Sequence, residues 1–129
     1  MKIDLAKTEI IHFVGIGGIG MSGLAMIMKG MGFKIQGSDI SLNKNIERLK
    51  KDKIPFTIGH NKKNIEKATI LVISSAIKKN NPELLFAKKK QLPIYKRGDM
   101  LAHIVSLTKN IVVAGSHGKT TTTSLLAGI

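Results

Sequence analysis

Residues 10–28 form a run of 19 residues without Asp, Glu, Lys or Arg, and five of them are glycines. The run is nearly as long as a membrane-spanning helix. Four of its glycines fall within six positions, however, and glycine at that density interrupts a helix. We therefore predict an aliphatic strand, a glycine-rich loop and an amphipathic helix. We expect no membrane insertion, and no secretory signal either, because Asp4 and Glu9 dilute the positive charge of the N-terminus.

The glycines match the pattern G-x-G-x-x-G over residues 15–20, which we call the glycine loop. The loop follows the predicted strand and precedes the predicted helix, and Asp39 lies 19 residues beyond Gly20, at the end of the next predicted strand. This context is typical of dinucleotide-binding loops. Glycines let the backbone approach a diphosphate, the helix N–H groups face it, and the carboxylate accepts hydrogen bonds from ribose hydroxyls. We predict a nucleotide site here, with a tight turn that binds no ligand as the alternative.

Short aliphatic runs alternate with helix-length amphipathic runs along the chain. The predicted strands are 10–14, 33–37, 55–58, 70–73, 94–95 and 111–114, and the predicted helices are 21–31, 43–51, 82–90, 97–107 and 120–129. Asn81 is the predicted cap of the third helix, with Pro82 at its first position. This order predicts an α/β fold, a Rossmann-like doubly wound parallel sheet. The alternation of strands and helices begins again near residue 108. We therefore predict one domain over residues 1–107 and the start of a second over 108–129.

A second glycine-containing loop begins after the predicted strand 111–114. It is shorter than the usual phosphate loop G-x-x-x-x-G-K-[ST], because Val113 stands where the first glycine would be. Its backbone N–H groups suit the phosphates of a nucleoside triphosphate, Lys119 suits their charge, and the Thr120 hydroxyl suits Mg²⁺. The sequence thus predicts the first strand, phosphate loop and helix of a second, truncated α/β domain. An accidental Gly-Lys-Thr is the alternative.

The formal net charge of +13 has two interpretations. It could indicate a polyanionic partner such as nucleic acid. Of the 21 basic residues, however, only Arg48 and Arg97 are arginines, and aromatic residues make up 4% of the chain. Nucleic-acid-binding surfaces depend on arginine and aromatic side chains. We therefore interpret the lysines as a solvated surface and expect no nucleic-acid partner. The chain has no cysteine, which excludes disulfides and thiolate chemistry.

Six segments, taken in order, resemble the Mur ligase family. They are Val-Gly-Ile-Gly-Gly-Ile-Gly-Met-Ser-Gly (14–23), Gly-Ser-Asp (37–39), Ser-Ser-Ala-Ile (74–77), Asn-Pro-Glu (81–83), Arg-Gly-Asp-Met-Leu (97–101) and Ala-Gly-Ser-His-Gly-Lys-Thr-Thr-Thr (114–122). The resemblance implies a UDP-substrate domain followed by the start of a central ATPase domain. It implies an ATP-dependent amide ligase of peptidoglycan biosynthesis that joins L-alanine to UDP-N-acetylmuramate in the cytoplasm. This chain alone is expected to bind the UDP-sugar without catalysing the reaction, because much of the ATP and alanine sites lies in other parts of the family's fold.

The resemblance also assigns residues by position. Those implied for the UDP-substrate are Gly15, Ile16, Gly17, Gly18, Ile19, Gly20, Ser38, Asp39, His60, Ser74 and Ser75. Those implied for ATP are Gly115, Ser116, His117, Gly118, Lys119, Thr120 and Thr121. Lys119 and Thr120 are the implied catalytic residues, and Thr120 is the implied ligand of ATP-bound Mg²⁺. Arg97 is either a phosphate or sugar contact or a plain helix-start residue.

Three other functions stay open at this point. A related ligase that attaches a recycled tripeptide to the same UDP-sugar has the same front domain. A stand-alone NAD-binding module would use Asp39 for the ribose, and a nucleic-acid binder would rest on charge alone. We further predict that His12 is a hydrogen-bonded buried residue and His103 a surface residue. Residues 108–129 are expected to pack against the first domain or against a second copy, as a tail-mediated dimer.

Overall fold

Successive side chains of β1 (Ile10–Val14) are buried on opposite faces of a sheet. Ile11 and Phe13 join one apolar cluster, and Val14 joins another on the opposite side. A strand that is buried on both faces belongs at the centre of a parallel sheet with helices on each side. The computed structural model describes residues 3, 5–40 and 44–116, with side chains through residue 108.

The sheet has five strands, and each neighbouring pair is parallel. The other four strands are β2 (Lys34–Asp39), β3 (Phe56–Ile58), β4 (Ile70–Ile73) and β5 (Ile94–Lys96). Their spatial order is β3-β2-β1-β4-β5. The predicted doubly wound parallel sheet is thereby confirmed. The chain moves outward in one direction from β1 to β3 and in the other from β4 to β5, so a crevice opens between the carboxyl ends of β1 and β4.

Helices cover the two faces unequally. One face carries α1 (Ile19–Gly30), α2 (Lys44–Lys51) and α4 (Arg97–Ser116), and the other carries a 3₁₀ helix (Lys62–Ile65) and α3 (Pro82–Lys89). The first face holds the larger apolar cluster of the described residues, including the buried α1 side chains Met21, Leu24, Ala25 and Met28. The helices pack there because their apolar residues recur at helical spacing.

Local sequence signals explain how the helices begin and end. The side chain of Asn81 accepts hydrogen bonds from the backbone N–H groups of Glu83 and Leu84, and Pro82 follows at the first helical position, as predicted. The chain leaves α1 through Gly32, whose φ of +99° is a conformation that favours glycine. The predicted elements through β5 match the observed ones to within two residues at their ends. The 3₁₀ helix was not predicted.

The strand β2 passes close to the start of the glycine loop. A Cβ atom added at Gly37 would lie 2.5 Å from Cδ1 of Ile16 and 2.8 Å from the carbonyl oxygen of Phe13. Only glycine fits at this point, because any side chain would overlap a backbone atom that cannot move aside. Ile16 fills the space above Gly37 and is itself fully buried.

The predicted sixth strand, 111–114, is wrong, because α4 continues as a helix from Arg97 to Ser116. A strand at this position would have to pair with the open edge of β5 to satisfy its backbone N–H and C=O groups. A helix pairs those groups internally. The predicted boundary between residues 107 and 108 falls inside α4, and the division into two domains remains a prediction.

Candidate ligand-binding site

A cavity of about 580 Å³ occupies the crevice at the carboxyl ends of the central strands. The glycine loop, the end of β2, the segment after β4 and the start of α3 surround it. The cavity brings together five residues that were predicted to bind the UDP-substrate: Gly15, Gly18, Asp39, His60 and Ser74. The other residues that line it are Ile40, Ala76, Ile77, Lys78, Asn80, Asn81 and Pro82. A mainly apolar cavity with a few polar groups is the usual form of a small-molecule site.

The glycine loop turns the chain sharply from β1 into α1. Gly15 has a φ of +84°, and its N–H and that of Ile16 donate to the carbonyl oxygen of Ser38 at 2.8 and 2.9 Å. The loop is therefore fixed to the end of β2. α1 begins at Ile19, and Gly18 at the cap position provides no side-chain acceptor for the first turn. Uncapped N–H groups at a helix start favour an anionic ligand.

The other members of the glycine loop have different surroundings. Ile16 is buried beneath the loop, whereas Ile19 is 87% exposed. Gly20 faces Arg97, since a Cβ added at Gly20 would lie 3.0 Å from Cδ and Nε of that side chain. Arg97 thus lies against the first turn of α1 and does not line the cavity.

Asp39 binds the glycine loop directly. Its Oδ2 accepts a hydrogen bond from the N–H of Gly17 at 2.7 Å, and its Oδ1 accepts one from the N–H of Ile40 at 2.7 Å. Asn45, on α2, adds a hydrogen bond from its side-chain amide to the carbonyl oxygen of Gly17 at 2.9 Å. The carboxylate that was predicted to face ribose lies at the cavity and also supports the loop.

Ser74 and Ser75 separate in the structure. Ser74 lines the cavity beside Gly15, and its Oγ would lie 3.9 Å from a Cβ added there. Ser75 is exposed and does not line the cavity. Of this pair, only Ser74 lies where a ligand in the crevice would meet it.

A buried carboxylate, Glu83, lies beneath one wall of the cavity and is fully inaccessible. Its Oε1 accepts hydrogen bonds from Nε2 of His12 at 2.7 Å and from Oγ of Ser38 at 2.6 Å. Its Oε2 accepts from the N–H of Asn61 at 3.1 Å and from the side-chain amide of Asn64 at 2.7 Å. Four donors from three parts of the fold therefore converge on one carboxylate.

These contacts determine the charge state of Glu83. Burial by itself raises the pKa of the carboxyl group, but the hydrogen bonds from His12, Ser38 and Asn64 outweigh it. Together they lower the pKa of Glu83 to about 2. Glu83 is therefore an ionised carboxylate at neutral pH.

His12 is buried and hydrogen-bonded, as predicted. Its Nε2 must carry a proton in order to donate to the Glu83 carboxylate. Its Nδ1 lies 2.9 Å from Nε2 of Gln36, and the same amide donates to the carbonyl oxygen of Asn64 at 2.8 Å. The Gln36 amide therefore donates to both groups, which leaves Nδ1 of His12 as an acceptor. His103 is half-buried on α4, so the prediction of a surface position holds only in part.

Ser38 lies under the cavity and does not line it. Its side chain is fully buried between Glu83 and His60, and Nδ1 of His60 lies 2.9 Å from its Oγ. His60 lines the cavity, so Ser38 connects the buried carboxylate to a residue that a ligand can reach.

Glu83 was missed as a site residue. In the sequence it is an acidic residue in the first turn of a helix, where acidic residues are common for electrostatic reasons. One signal was available, because the chain has only eight acidic residues and this one directly follows the capping Asn81 and Pro82. Its burial depends on contacts from distant segments, which no local pattern reveals.

The residues predicted to bind ATP lie largely beyond the described part of the chain. Gly115 and Ser116 fall in the last turn of α4, and His117, Gly118, Lys119, Thr120 and Thr121 lie outside the described residues. Their roles remain predictions.

Among the residues that the structure does describe, no three His, Asp or Glu side chains form a metal site. No described helix is both long and apolar enough to cross a membrane.

Comparisons with known proteins agree with this geometry. The sequence model of the Mur ligase family, catalytic domain, matches residues 10–109. The UDP-N-acetylmuramate–L-alanine ligase of Pelagibacter ubique is 83% identical over 129 residues, which are 100% of this chain and 28% of that protein. The chain thus spans little more than a quarter of that relative.

Solved structures resemble the fold as well. The crystal structure of UDP-N-acetylmuramate-alanine ligase from Thermotoga maritima matches with a TM-score of 0.74 and 32% identity, over 78% of this chain and 23% of that one. The UDP-N-acetylmuramate:L-alanyl-gamma-D-glutamyl-meso-diaminopimelate ligase from Neisseria meningitides matches with a TM-score of 0.68 and 29% identity, over 92% of this chain and 38% of that one.

Proposed function

Since the chain belongs to the Mur ligase family, we propose that it is the UDP-substrate-binding part of an enzyme that joins L-alanine to UDP-N-acetylmuramate. The observation that carries the proposal is the cavity between the glycine loop and the start of α3. It lies where the strand order reverses, which is the usual ligand position in open α/β sheets.

In this proposal the diphosphate of the UDP-sugar binds at the glycine loop. Gly15 and Gly18 border the cavity without side chains, so a phosphate can approach the backbone closely. The uncapped start of α1 adds partial positive charge. Asp39 accepts from ribose hydroxyls, and Ser74 contributes a hydroxyl from the opposite wall.

We propose ATP as the second substrate, bound with Mg²⁺ by the loop 115–121. ATP would supply the phosphoryl group that activates the muramoyl carboxylate before the amine of L-alanine attacks it. The donor set suits this role, because Lys119 would neutralise the β- and γ-phosphates and the Thr120 hydroxyl would bind Mg²⁺.

A cytoplasmic location belongs to the same proposal. So does a dimer through residues 108–129, which size-exclusion chromatography would detect.

A second candidate is the attachment of a recycled peptide to the same UDP-sugar. The Neisseria structure keeps it open, because that ligase resembles this chain at 29% identity over 92% of its length. The two candidates share the UDP-substrate site and differ in the component that is joined to it. A ligation assay on the complete enzyme, with L-alanine or the tripeptide as acceptor, separates them.

Isothermal titration of the chain with UDP-N-acetylmuramate and with NAD tests the proposed site. We expect saturable binding of the UDP-sugar and much weaker binding of NAD. Gly17→Val should lower the affinity for the UDP-sugar at least about tenfold, because its branched side chain takes the space next to the loop N–H groups. Gly30→Ala is the matched control, since nothing lies within 4 Å of a Cβ added there. Preferential binding of NAD would contradict the proposal.

A further inference from the structure

A second concave surface lies along α3, beside the 3₁₀ helix, and we call it the α3 groove. Its volume is about 500 Å³. One wall is a stripe of α3 residues at the spacing i, i+3, i+4 and i+7, namely Pro82, Leu85, Phe86 and Lys89. The other wall is the segment 60–62. The groove shares His60 and Pro82 with the cavity, and its other lining residues are different.

The helix α3 has apolar side chains on two sides. Leu84 and Ala87 are buried in the domain. On the groove side, Leu85 is 50% exposed and Phe86 is half-buried. A surface helix normally places its apolar residues toward the core alone. The apolar stripe in the α3 groove is therefore more than the packing of the described residues requires, and exposed apolar groups of this kind mark interaction sites.

The two segments that form the α3 groove are strongly basic. Residues 60–67 and 82–90 contain one exposed acidic residue, Glu66, and six exposed lysines, which are Lys62, Lys63, Lys67, Lys88, Lys89 and Lys90. Glu83 is buried and accepts from its own donors. On the opposite face of the sheet, Glu47 and Asp52 offset part of the positive charge in and after α2. The charge at the groove is thus a local concentration and not only the average composition of the chain.

Contacts between the two walls fix the α3 groove at both ends. At one end, Nζ of Lys90 lies 5.3 Å from the ring centroid of Phe86 and donates to the carbonyl oxygen of Glu66 at 3.3 Å. At the other end, the N–H of Asn61 donates to Oε2 of Glu83 at 3.1 Å. The shape of the groove therefore exists before any partner binds, which lowers the entropic cost of binding.

The apolar floor and the positive walls together indicate what the groove can hold. An inorganic anion would pair with Lys62 and Lys89 and leave Leu85 in water. A second copy of the chain would be repelled, because each copy carries a formal net charge of +13. A membrane surface is flat, and a nucleic-acid backbone has no aliphatic side chain to fill the groove. An acidic protein segment supplies both carboxylates and an apolar side chain.

We propose that the α3 groove is a docking site for an acidic segment of a partner protein. One aliphatic or aromatic side chain of the segment contacts Leu85 and Phe86, and carboxylates on either side of it pair with Lys62 and Lys89. The stripe from Pro82 to Lys89 is roughly 10 Å long, since a helix rises about 1.5 Å per residue, and this length fits two turns of a docked helix. The interaction does not depend on the proposed UDP-substrate site.

Fluorescence anisotropy of synthetic peptides with the full chain tests the docking site. The probe is the fluorescein-labelled peptide Glu-Glu-Asp-Leu-Glu-Asp-Phe-Glu-Glu. One control peptide has Gln and Asn in place of the acidic residues, and another has Ser in place of Leu and Phe. We expect saturable binding of the probe and at least about tenfold weaker binding of each control, because the groove requires the charges and the apolar anchor together.

Four variants of the chain locate the bound probe. Lys62→Glu and Leu85→Ser should each weaken binding at least about fivefold, because the first reverses a charge in one wall and the second removes the apolar contact from the other. Their matched controls are Lys51→Glu on α2 and Val105→Ser on α4, at positions that are also exposed but belong to the opposite face of the sheet. Both controls should bind the probe as tightly as the unmodified chain does.

Equal weakening by Lys62→Glu and Lys51→Glu would overturn the proposal, because binding would then follow net charge alone. An unchanged affinity of Leu85→Ser would overturn it as well. Saturating UDP-N-acetylmuramate should leave the probe bound, and displacement would assign the groove to the ligand cavity instead. Vesicles of phosphatidylglycerol or an RNA oligonucleotide that bind through Lys62 and Leu85, while the acidic probe does not bind, would show that the partner is not an acidic protein segment.

Discussion

The carboxylate of Asp39 accepts a hydrogen bond from the backbone N–H of Gly17 at 2.7 Å. This contact joins the end of β2 to the middle of the glycine loop. Both carboxylate oxygens bind backbone N–H groups, because Oδ1 accepts from Ile40. Asp39 therefore stabilises the loop in addition to any role toward a ligand.

Asp39→Ala should reduce the free energy of unfolding by about 2 kcal/mol, since it leaves two N–H groups without their charged acceptor. Asp39→Asn keeps one oxygen and should cost about half as much. Chemical denaturation measures both. Asp52→Ala is the control for net charge, because Asp52 is exposed and its loss should change the free energy of unfolding by less than about 0.5 kcal/mol. Equal effects of the two alanine variants would contradict the role of Asp39.

Gly37→Ala should destabilise the protein by about 1–3 kcal/mol, because the added Cβ would overlap Ile16 and the carbonyl oxygen of Phe13. Gly23→Ala is the matched substitution within α1, where nothing lies within 4 Å of the added Cβ. It should stabilise the protein by about 0.5–1 kcal/mol, because alanine favours the helix. Thermal denaturation of the two variants should shift in opposite directions, and a shift in the same direction would be inconsistent with the geometry at Gly37.

The low pKa of Glu83 predicts a component of stability that depends on pH. The folded state holds this pKa at about 2, below the ordinary value of 4.5. The stabilisation is therefore complete above pH 4.5 and is lost as the pH falls toward 2. Its size is on the order of 3 kcal/mol.

Denaturation of the protein and of Glu83→Gln between pH 6 and pH 2 measures this component by difference. We expect the free energies of unfolding to converge in acid, because the glutamine cannot titrate. A ¹³C titration of the Glu83 carboxyl in the unmodified protein provides a second reading, with a midpoint near pH 2. A midpoint near 4.5 would show that the four donors do not hold the carboxylate.

Asn81→Ala should cost about 1 kcal/mol, because the backbone N–H groups of Glu83 and Leu84 lose their acceptor. Asn81→Ser, which keeps an acceptor at the cap position, should recover most of this loss. Asn80→Ala provides the neighbouring control, since Asn80 is exposed. Denaturation midpoints compare the three variants, and a serine as harmful as alanine would refute the capping role.

The sheet and the loop that begins α1 could be predicted from sequence because both are local patterns. Aliphatic runs bounded by glycine or proline mark the strands, and parallel strands bring their carboxyl ends to one edge. Gly15 and Asp39 were assigned to one site on that basis, His60 and Ser74 were added by the resemblance to the Mur ligase family, and all four line one cavity.

Two features could not be predicted in this way. Glu83 receives hydrogen bonds from residues that lie between 19 and 71 positions away in the sequence, so its role exists only in the folded chain. The aliphatic run 111–114 fits both a buried strand and a helix, because a short apolar run does not distinguish them.

Because one face of the sheet carries more apolar packing than the other, the helices on the two faces differ in how readily they open locally. α3 rests on the smaller apolar cluster of the described residues, and the buried carboxylate on that helix contributes much of its attachment. Elements held by few apolar contacts exchange their amide protons first. The wall of the cavity at Asn81 therefore belongs to the more loosely held layer, and the wall at Gly18 to the tightly held one. A ligand that bridges the two walls would slow amide exchange in α3 far more than in α1. Binding in the crevice would therefore bring the local stability of the α3 layer closer to that of the α1 layer.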